Sequence, residues 1–171
     1  MSGDVKLYRE LRLECLKIFP ENFGSVFEVE VAKPKLYFEN HIEEQPIGKF
    51  MIGAFDGEKL IGVCGFVQET GLKEKHKGSA IQMNVLPQYH GKGVGLGLLQ
   101  TVVDEAFKIP EVEQVLLAVV NTNIAAIKTY EKAGFKEYGL LPKSLKLDDK
   151  YLDERLMILF RTTDRGQRTT V

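Results

Sequence analysis

Residues 85–99 read VLPQYHGKGVGLGLL, and glycine occupies every second position from 91 to 97. Glycine costs roughly 1 kcal/mol in a helix interior, so this spacing needs a physical reason. One reason is a ligand that must approach the backbone closely. The start of a helix offers free N–H groups and the positive end of a dipole to a phosphate. With Lys92 as a nearby cation, the segment indicates a strand-to-helix turn that holds a pyrophosphate.

Other phosphate-binding loops do not fit this spacing. A dinucleotide fingerprint needs its third glycine at a position occupied here by Leu96 or Leu98. A P-loop needs serine or threonine after its Gly-Lys pair, whereas Gly93 follows Lys92. A second interpretation stays open, in which the glycines only allow a tight turn and close packing of the helix.

The pattern on both sides of this segment predicts a mixed α/β (α+β) domain. A strand before the glycines, a helix after them and a further strand require a crossover, so the two strands are parallel or nearly so. Helices are expected at 4–18, 93–107 and 124–133, with less certain bounds for a helical stretch interrupted by Pro34. Strands are expected at 50–55, 60–69, 79–85, 115–120, 135–141 and 156–160.

Composition limits the possible partners. The chain has 171 residues, 23 basic and 24 acidic, and a formal net charge of −1, which leaves no electrostatic signature of nucleic acid or membrane binding. Cys15 and Cys64 are read as small buried residues of a reducing compartment, and no signal peptide is recognised. We therefore expect a cytoplasmic protein with one domain at 1–161 and a polar tail at 162–171.

No metal or hydrolase site is expected. The three histidines are far apart in sequence, and no Cys/His ligand spacing occurs. The nucleophile motif G-x-S-x-G is also missing from the sequence.

Two motifs carry a resemblance to the GNAT superfamily of N-acetyltransferases. The segment from Val85 to Leu99 is similar to motif A of that family, [Arg/Gln]-x-x-Gly-x-[Gly/Ala]. The segment VNTNIAAIKTYEKAGF, residues 120–135, is similar to motif B, which reads Asn…Ala…Tyr…Gly-Phe. With shorter matches near both ends, the similarity covers nearly the whole chain. It implies a three-layer fold around a central mixed, mostly antiparallel sheet, with a parallel strand pair splayed around the coenzyme site.

The resemblance also implies an acetyl-CoA co-substrate and its contacts. In the family, the backbone N–H groups of motif A hold the coenzyme pyrophosphate, and Asn123 contacts the pantetheine arm besides its role as a helix N-cap. The implied coenzyme contacts are Met83, Val85, His90, Gly91, Lys92, Gly93, Val94, Gly95, Leu96, Asn123 and Tyr130.

The reaction that the resemblance implies is direct attack of an amine on the acetyl thioester. By position, the backbone N–H of Val85 is the oxyanion donor, and Met83 also lines the pantetheine. Tyr130 is the general acid for the departing thiolate, although its alternative role is that of a core tyrosine. An ordinary phenol is a weaker acid than a thiol, so Tyr130 can act mainly by hydrogen bonding unless its pKa is lowered. No general base is assigned.

Three departures from the family pattern have consequences. His90 occupies the Arg/Gln position of motif A. Ser79, a poor base, occupies the position of a glutamate that serves many relatives as base. Glu69 is a possible base but is more simply read as a solvated charge at a strand end. The family's first strand is expected to be missing or trimmed, which would leave a sheet edge for the second chain of a homodimer or for the tail to cover. These departures keep a second hypothesis open, a non-catalytic acyl-CoA-binding regulatory domain. The amine acceptor, a small molecule or peptide expected near residues 19–25 and 140–146, is not specified, nor is the acyl group.

Overall fold

The computed structural model describes residues 3–162. Its helices are α1 Gly3–Ile18, α2 Phe27–Ala32, α3 Glu39–Glu44, α4 Val94–Lys108 and α5 Ile124–Lys132. Its strands are β1 Lys49–Asp56, β2 Lys59–Gln68, β3 Lys77–Val85, β4 Gln114–Val120, β5 Lys136–Leu147 and β6 Lys150–Phe160. Of the expected tail, only residue 162 falls within the described part, so the boundary at residue 161 stays a prediction.

The six strands form one sheet in the order β1-β2-β3-β4-β6-β5. All neighbours are antiparallel except β3 and β4, which are parallel. The helix α4 makes the crossover between these two strands, as a parallel connection requires. The mixed, mostly antiparallel sheet with one parallel pair is thereby confirmed.

Helices cover the two faces of the sheet. On one face, α1 and the segment before α3 bury Tyr8, Leu11 and Phe38 against β2. On the other, α4 and α5 pack around Val102 and Met157 in the larger core cluster. The result is a three-layer arrangement. No helix in residues 3–162 is both long and apolar enough to cross a membrane.

The first described helix agrees with the sequence prediction, whereas the C-terminal hairpin is longer than predicted. The first described element is α1, and β1 is an edge strand that pairs only with β2. The hairpin of β5 and β6 extends on both sides to a turn near Asp148, well beyond the two short strands expected. Most of β5 is exposed, so its side chains show no apolar alternation from which its length could be read.

Candidate active site

The parallel pair separates soon after it starts. Three residue pairs join β3 to β4, from Lys77–Gln114 to Ser79–Leu116. Beyond Ser79 a cavity of about 1060 Å³ opens, lined by residues 80–85 of β3, 117–119 of β4, and parts of α4 and α5. Pockets for drug-sized ligands measure about 300–1000 Å³, so this cavity has room for an extended ligand and part of a second molecule.

The glycine-rich turn forms the end wall of this cavity. Gly91 and Gly93 have φ of +73° and +82°, in the left-handed region that favours glycine. A Cβ added at either residue would meet no atom within 4 Å, so the space above both is open. The first hydrogen bond of the helix runs from the N–H of Gly97 to the carbonyl of Gly93 at 3.0 Å. The N–H groups of residues 91–96 lie before this bond, so they are not used within the helix. These amides and the helix dipole suit a diphosphate.

Residues 94–96 line the same wall at the first turn of α4. Lys92 does not line the cavity but stands beside it, with Nζ 5.1 Å from the ring centroid of Tyr89. Its flexible side chain is therefore available as a counter-charge near the cradle.

His90 is engaged with the protein itself. Its backbone N–H bonds to the carbonyl of Pro87 at 3.1 Å. Its Nε2 lies 2.8 Å from the carbonyl oxygen of Val85, and because a carbonyl only accepts, Nε2 carries the proton. The ring stacks on Phe19 at a centroid distance of 5.4 Å. The side chain thus joins the glycine turn to the end of β3, and its contact with a phosphate stays a prediction.

The backbone of Val85 faces the gap. The N–H of Leu86 bonds to Ile61 on β2 at 2.9 Å. Because successive residues of a strand direct their N–H and carbonyl groups to opposite sides, those of Val85 face away from β2. The bond from His90 to the Val85 carbonyl agrees with this direction. The N–H of Val85 is accordingly placed to donate into the cavity.

A β-bulge shapes β3 just before Val85. The register between β2 and β3 shifts opposite Cys64, and Gln82 has φ of +54°. The hydroxyl of Tyr8 donates to Gln82 Oε1 at 2.7 Å, and Asn84 Nδ2 donates to the Gln82 carbonyl at 2.6 Å. These bonds hold the bulge, which re-aims the following residues. Met83 lies in the bulge and lines the cavity.

Tyr130 lies in the cavity wall on α5 and is 8% exposed. Burial, and secondarily the neighbouring Cys64, raise the pKa of its hydroxyl above the ordinary value of 10. Burial also raises the pKa of Cys64 to about 12. At neutral pH both groups keep their protons. Tyr130 is therefore a hydrogen-bond donor rather than a strong acid.

Asn123 begins α5. Its Oδ1 accepts a hydrogen bond from the N–H of Ala126 at 3.2 Å, as an N-cap does. The residue also lines the cavity. The structure thus brings both motifs to one site, with the glycine turn and the start of α5 in the wall of the same cavity.

Comparison with known proteins identifies this architecture. The model of the acetyltransferase (GNAT) family matches residues 9–135. This chain belongs to the GNAT family. A spermidine N(1)-acetyltransferase of Vibrio cholerae is 26% identical over 144 residues, which cover 84% of this chain and 78% of that protein. An N-alpha-acetyltransferase of Sulfurisphaera tokodaii is 31% identical over 118 residues, covering 63% of this chain and 68% of that one.

A solved structure shares the fold of this GNAT chain. The acetyl-CoA complex of yncA from Salmonella typhimurium aligns with a TM-score of 0.76 and 17% identity, covering 98% of this chain and 94% of that one. The protein is an acetyl-CoA-dependent N-acetyltransferase. The open glycine cradle fits the diphosphate of acetyl-CoA. In residues 3–162, no group of three or more His, Cys, Asp or Glu side chains is placed to hold a metal ion.

The carboxylates that line the GNAT cavity are not the one considered as a base. Ser79 and Glu69 both lie outside its lining, whereas Glu21 and Glu154 line it. Glu154 accepts a short hydrogen bond from the hydroxyl of Ser144. Nothing in the spacing of residues 21 and 154 relates these glutamates to the glycine turn, so the sequence does not indicate them as site residues.

Arg12 also lines the cavity, although it was not among the expected site residues. It lies four residues after Tyr8 and three before Cys15, a spacing that places all three on one face of α1. All three are buried. Ile18, the last residue of α1, is exposed. The sequence signal for a buried Arg12 was its helical spacing from Tyr8 and Cys15, which places the arginine on the same face as both.

Asn123→Ala should lower the free energy of unfolding by about 1 kcal/mol, the usual cost of an N-cap deletion. Asn123→Ser keeps a capping oxygen and should retain most of that stability. Urea unfolding measures this effect, and calorimetric titration with coenzyme A measures any loss of ligand contact. Equal stability of the alanine variant and the wild type would contradict the cap. Equal coenzyme affinity of all three proteins would argue against contact of Asn123 with pantetheine.

Proposed function

We propose that this N-acetyltransferase transfers an acetyl group directly to a primary amine of a small molecule or peptide, within the gap between β3 and β4. The observation that carries this proposal is the position of the Val85 N–H, which faces the gap beside the glycine turn. Residues 1–161 would act as a single domain. Spermidine is one candidate acceptor, because relatives of this chain are spermidine acetyltransferases.

Acetyl-CoA supplies an acetyl thioester when it is bound. The amine nitrogen forms a bond to the acetyl carbon while the carbon–sulfur bond breaks, and the amine gives up one proton to water. The Val85 N–H would donate to the acetyl oxygen as negative charge grows there, a contact worth about 10²–10³ in kcat in other enzymes. The backbone of residues 91–96, with Lys92 nearby, would hold the diphosphate. Asn123 and Met83 would contact the pantetheine arm.

Tyr130 would stabilise the sulfur that leaves. Its raised pKa makes full proton transfer to a thiolate unfavourable, since the ordinary pKa of a thiol is near 8.5. A hydrogen bond from its hydroxyl still lowers the energy of the thiolate, which then takes its proton from solvent. β3 carries no carboxylate that could act as base, and we propose that water takes the proton of the amine.

Release of free thiol from acetyl-CoA, measured across a panel of amines, tests this function. We expect turnover with at least one small-molecule or peptide amine. Tight binding of coenzyme A without turnover on any amine would instead support a non-catalytic acyl-CoA-binding domain. Comparison of acetyl-CoA with longer acyl-CoA donors would show whether Met83 limits acyl size.

Two further proposals concern the cellular location and the oligomeric state of the enzyme. Cys15 and Cys64 are free and buried, which is compatible with a reducing cytoplasmic location. A homodimer that covers the edge strand β1 remains a prediction, and sedimentation velocity would test it. Cell fractionation would test the location.

A further inference from the structure

Arg12 presents a buried guanidinium to the cavity. The residue is 3% exposed, and it is one of the residues that line the cavity wall. Its Nη1 donates to Asn84 Oδ1 at 3.1 Å, and its Cζ lies 4.9 Å from the ring centroid of Phe23. Its buried Nε has no hydrogen-bond partner among the residues that the structure describes. An arginine can donate five hydrogen bonds, so most of this capacity is unused.

No ion pair neutralises this guanidinium within residues 3–162. Glu30 is near enough to influence it, but its carboxylate is paired with Lys33 Nζ at 2.6 Å. Burial lowers the pKa of Arg12, and Tyr8 and Glu30 partly oppose that shift. A buried charge without a partner is expensive for a fold to maintain.

Arg9, on the same helix, shows the contrasting case. Its Nη1 lies 2.6 Å from the carboxylate of the buried Glu39, and its Nη2 donates to the carbonyl of Lys33. Within residues 3–162, Arg9 outside the cavity is therefore paired with a carboxylate, whereas Arg12 in the cavity wall forms no ion pair.

The position of Arg12 relates it to the reacting amine. Its partner Asn84 directly precedes Val85, and consecutive Cα atoms are about 3.8 Å apart. Phe23 belongs to the loop between α1 and α2, which lines the cavity on the side of α1. An acceptor whose amine lies beside the Val85 N–H would have its remaining atoms close to Arg12 and Phe23.

We propose that Arg12 binds a carboxylate of the acceptor, so that the acceptor class is amino acids or other amines bearing a carboxylate. This inference rests on the proposed function. Guanidinium and carboxylate match in a planar, two-bonded geometry, and burial beside Phe23 strengthens the pair. A polyamine would bring a further positive charge to the same place and gain nothing from Arg12.

Arg12 also supports the bulge through Asn84, so a variant could lose activity for a purely structural reason. The test therefore compares acceptors rather than total activity. We would measure kcat/KM for a panel of L-amino acids, for the matching L-amino acid amides, and for spermidine. The enzymes are the wild type, Arg12→Gln, Arg12→Lys and, as a control, Lys17→Gln, which removes a positive charge from the exposed end of α1.

We expect the wild type to prefer the acid over its amide about 10- to 100-fold, the range of charge-assisted hydrogen bonds. Arg12→Gln should bring that ratio close to one, mainly through a higher KM for the acid. Arg12→Lys should keep part of the preference, and Lys17→Gln should keep all of it. A wild-type ratio near one, a ratio unchanged in Arg12→Gln, or a preference of the wild type for spermidine would overturn the proposal.

A binding measurement separates failure of this proposal from failure of the proposed function. Each enzyme, saturated with coenzyme A, is titrated with N-acetyl-L-amino acids and with their amides. Tighter binding of the acids to wild type than to Arg12→Gln supports the carboxylate site even if no amine is turned over. Equal binding of acids and amides to the wild type overturns it, whatever the catalytic result.

Discussion

Gly93→Val should raise the dissociation constant for coenzyme A at least about 100-fold, equivalent to about 2.7 kcal/mol of lost binding. Gly93 has φ of +82°, where a β-branched residue is strained by about 1–3 kcal/mol. The added side chain would also stand in the open space above the turn, where the diphosphate is proposed to lie. Calorimetric titration with coenzyme A measures the effect, and circular dichroism checks that the variant folds.

Gly97→Ala is the matched control. Gly97 lies within α4, outside the cavity lining, and a Cβ there would meet no atom within 4 Å. Alanine should stabilise the helix by about 0.5–1 kcal/mol and leave coenzyme affinity unchanged. If Gly93→Val bound coenzyme A within threefold of the wild type, the glycine turn could not be the phosphate site.

Tyr130→Phe should lower kcat by about 100-fold while changing coenzyme affinity less than threefold. The substitution removes one hydroxyl from a buried wall and leaves the packing of the ring in place. Because burial raises the pKa of Tyr130 above 10, the wild-type kcat should show no inflection from this group below about pH 10. Steady-state rates from pH 6 to 10 and calorimetry provide both measurements.

Tyr138→Phe serves as the comparison, because Tyr138 is exposed on β5 and does not line the cavity. It should behave as the wild type. Unchanged turnover in Tyr130→Phe would dismiss its role toward the sulfur and leave it as a core tyrosine.

Local signals in the sequence predicted much of the site. The alternating glycines before an amphipathic stripe located α4 within one residue, and the continuous apolar run before Asn121 located β4. The cap at Asn123 and the glycine at 134 bounded α5 in the same way. Each of these signals acts over a few residues, so it can be read without knowledge of the fold.

Features that depend on contacts distant in sequence could not be predicted. The bulge at Gln82 is held by Tyr8, 74 residues earlier, and no pattern within β3 indicates it. The burial of Arg12 depends on Asn84, 72 residues away. The sequence showed which residues resemble catalytic ones. It could not show that, within residues 3–162, Arg9 forms an ion pair with a carboxylate and Arg12 does not.

The early separation of β3 from β4 has a wider consequence for how this protein is assembled. The sheet consists of two three-stranded halves, β1–β3 and β4–β6, which are joined only by the residue pairs from Lys77–Gln114 to Ser79–Leu116. Backbone groups along the open margins of both halves lack a neighbouring strand and must be hydrated or covered. A molecule bound between β3 and β4 would contact both halves of the sheet, so substrate binding would also connect the two halves.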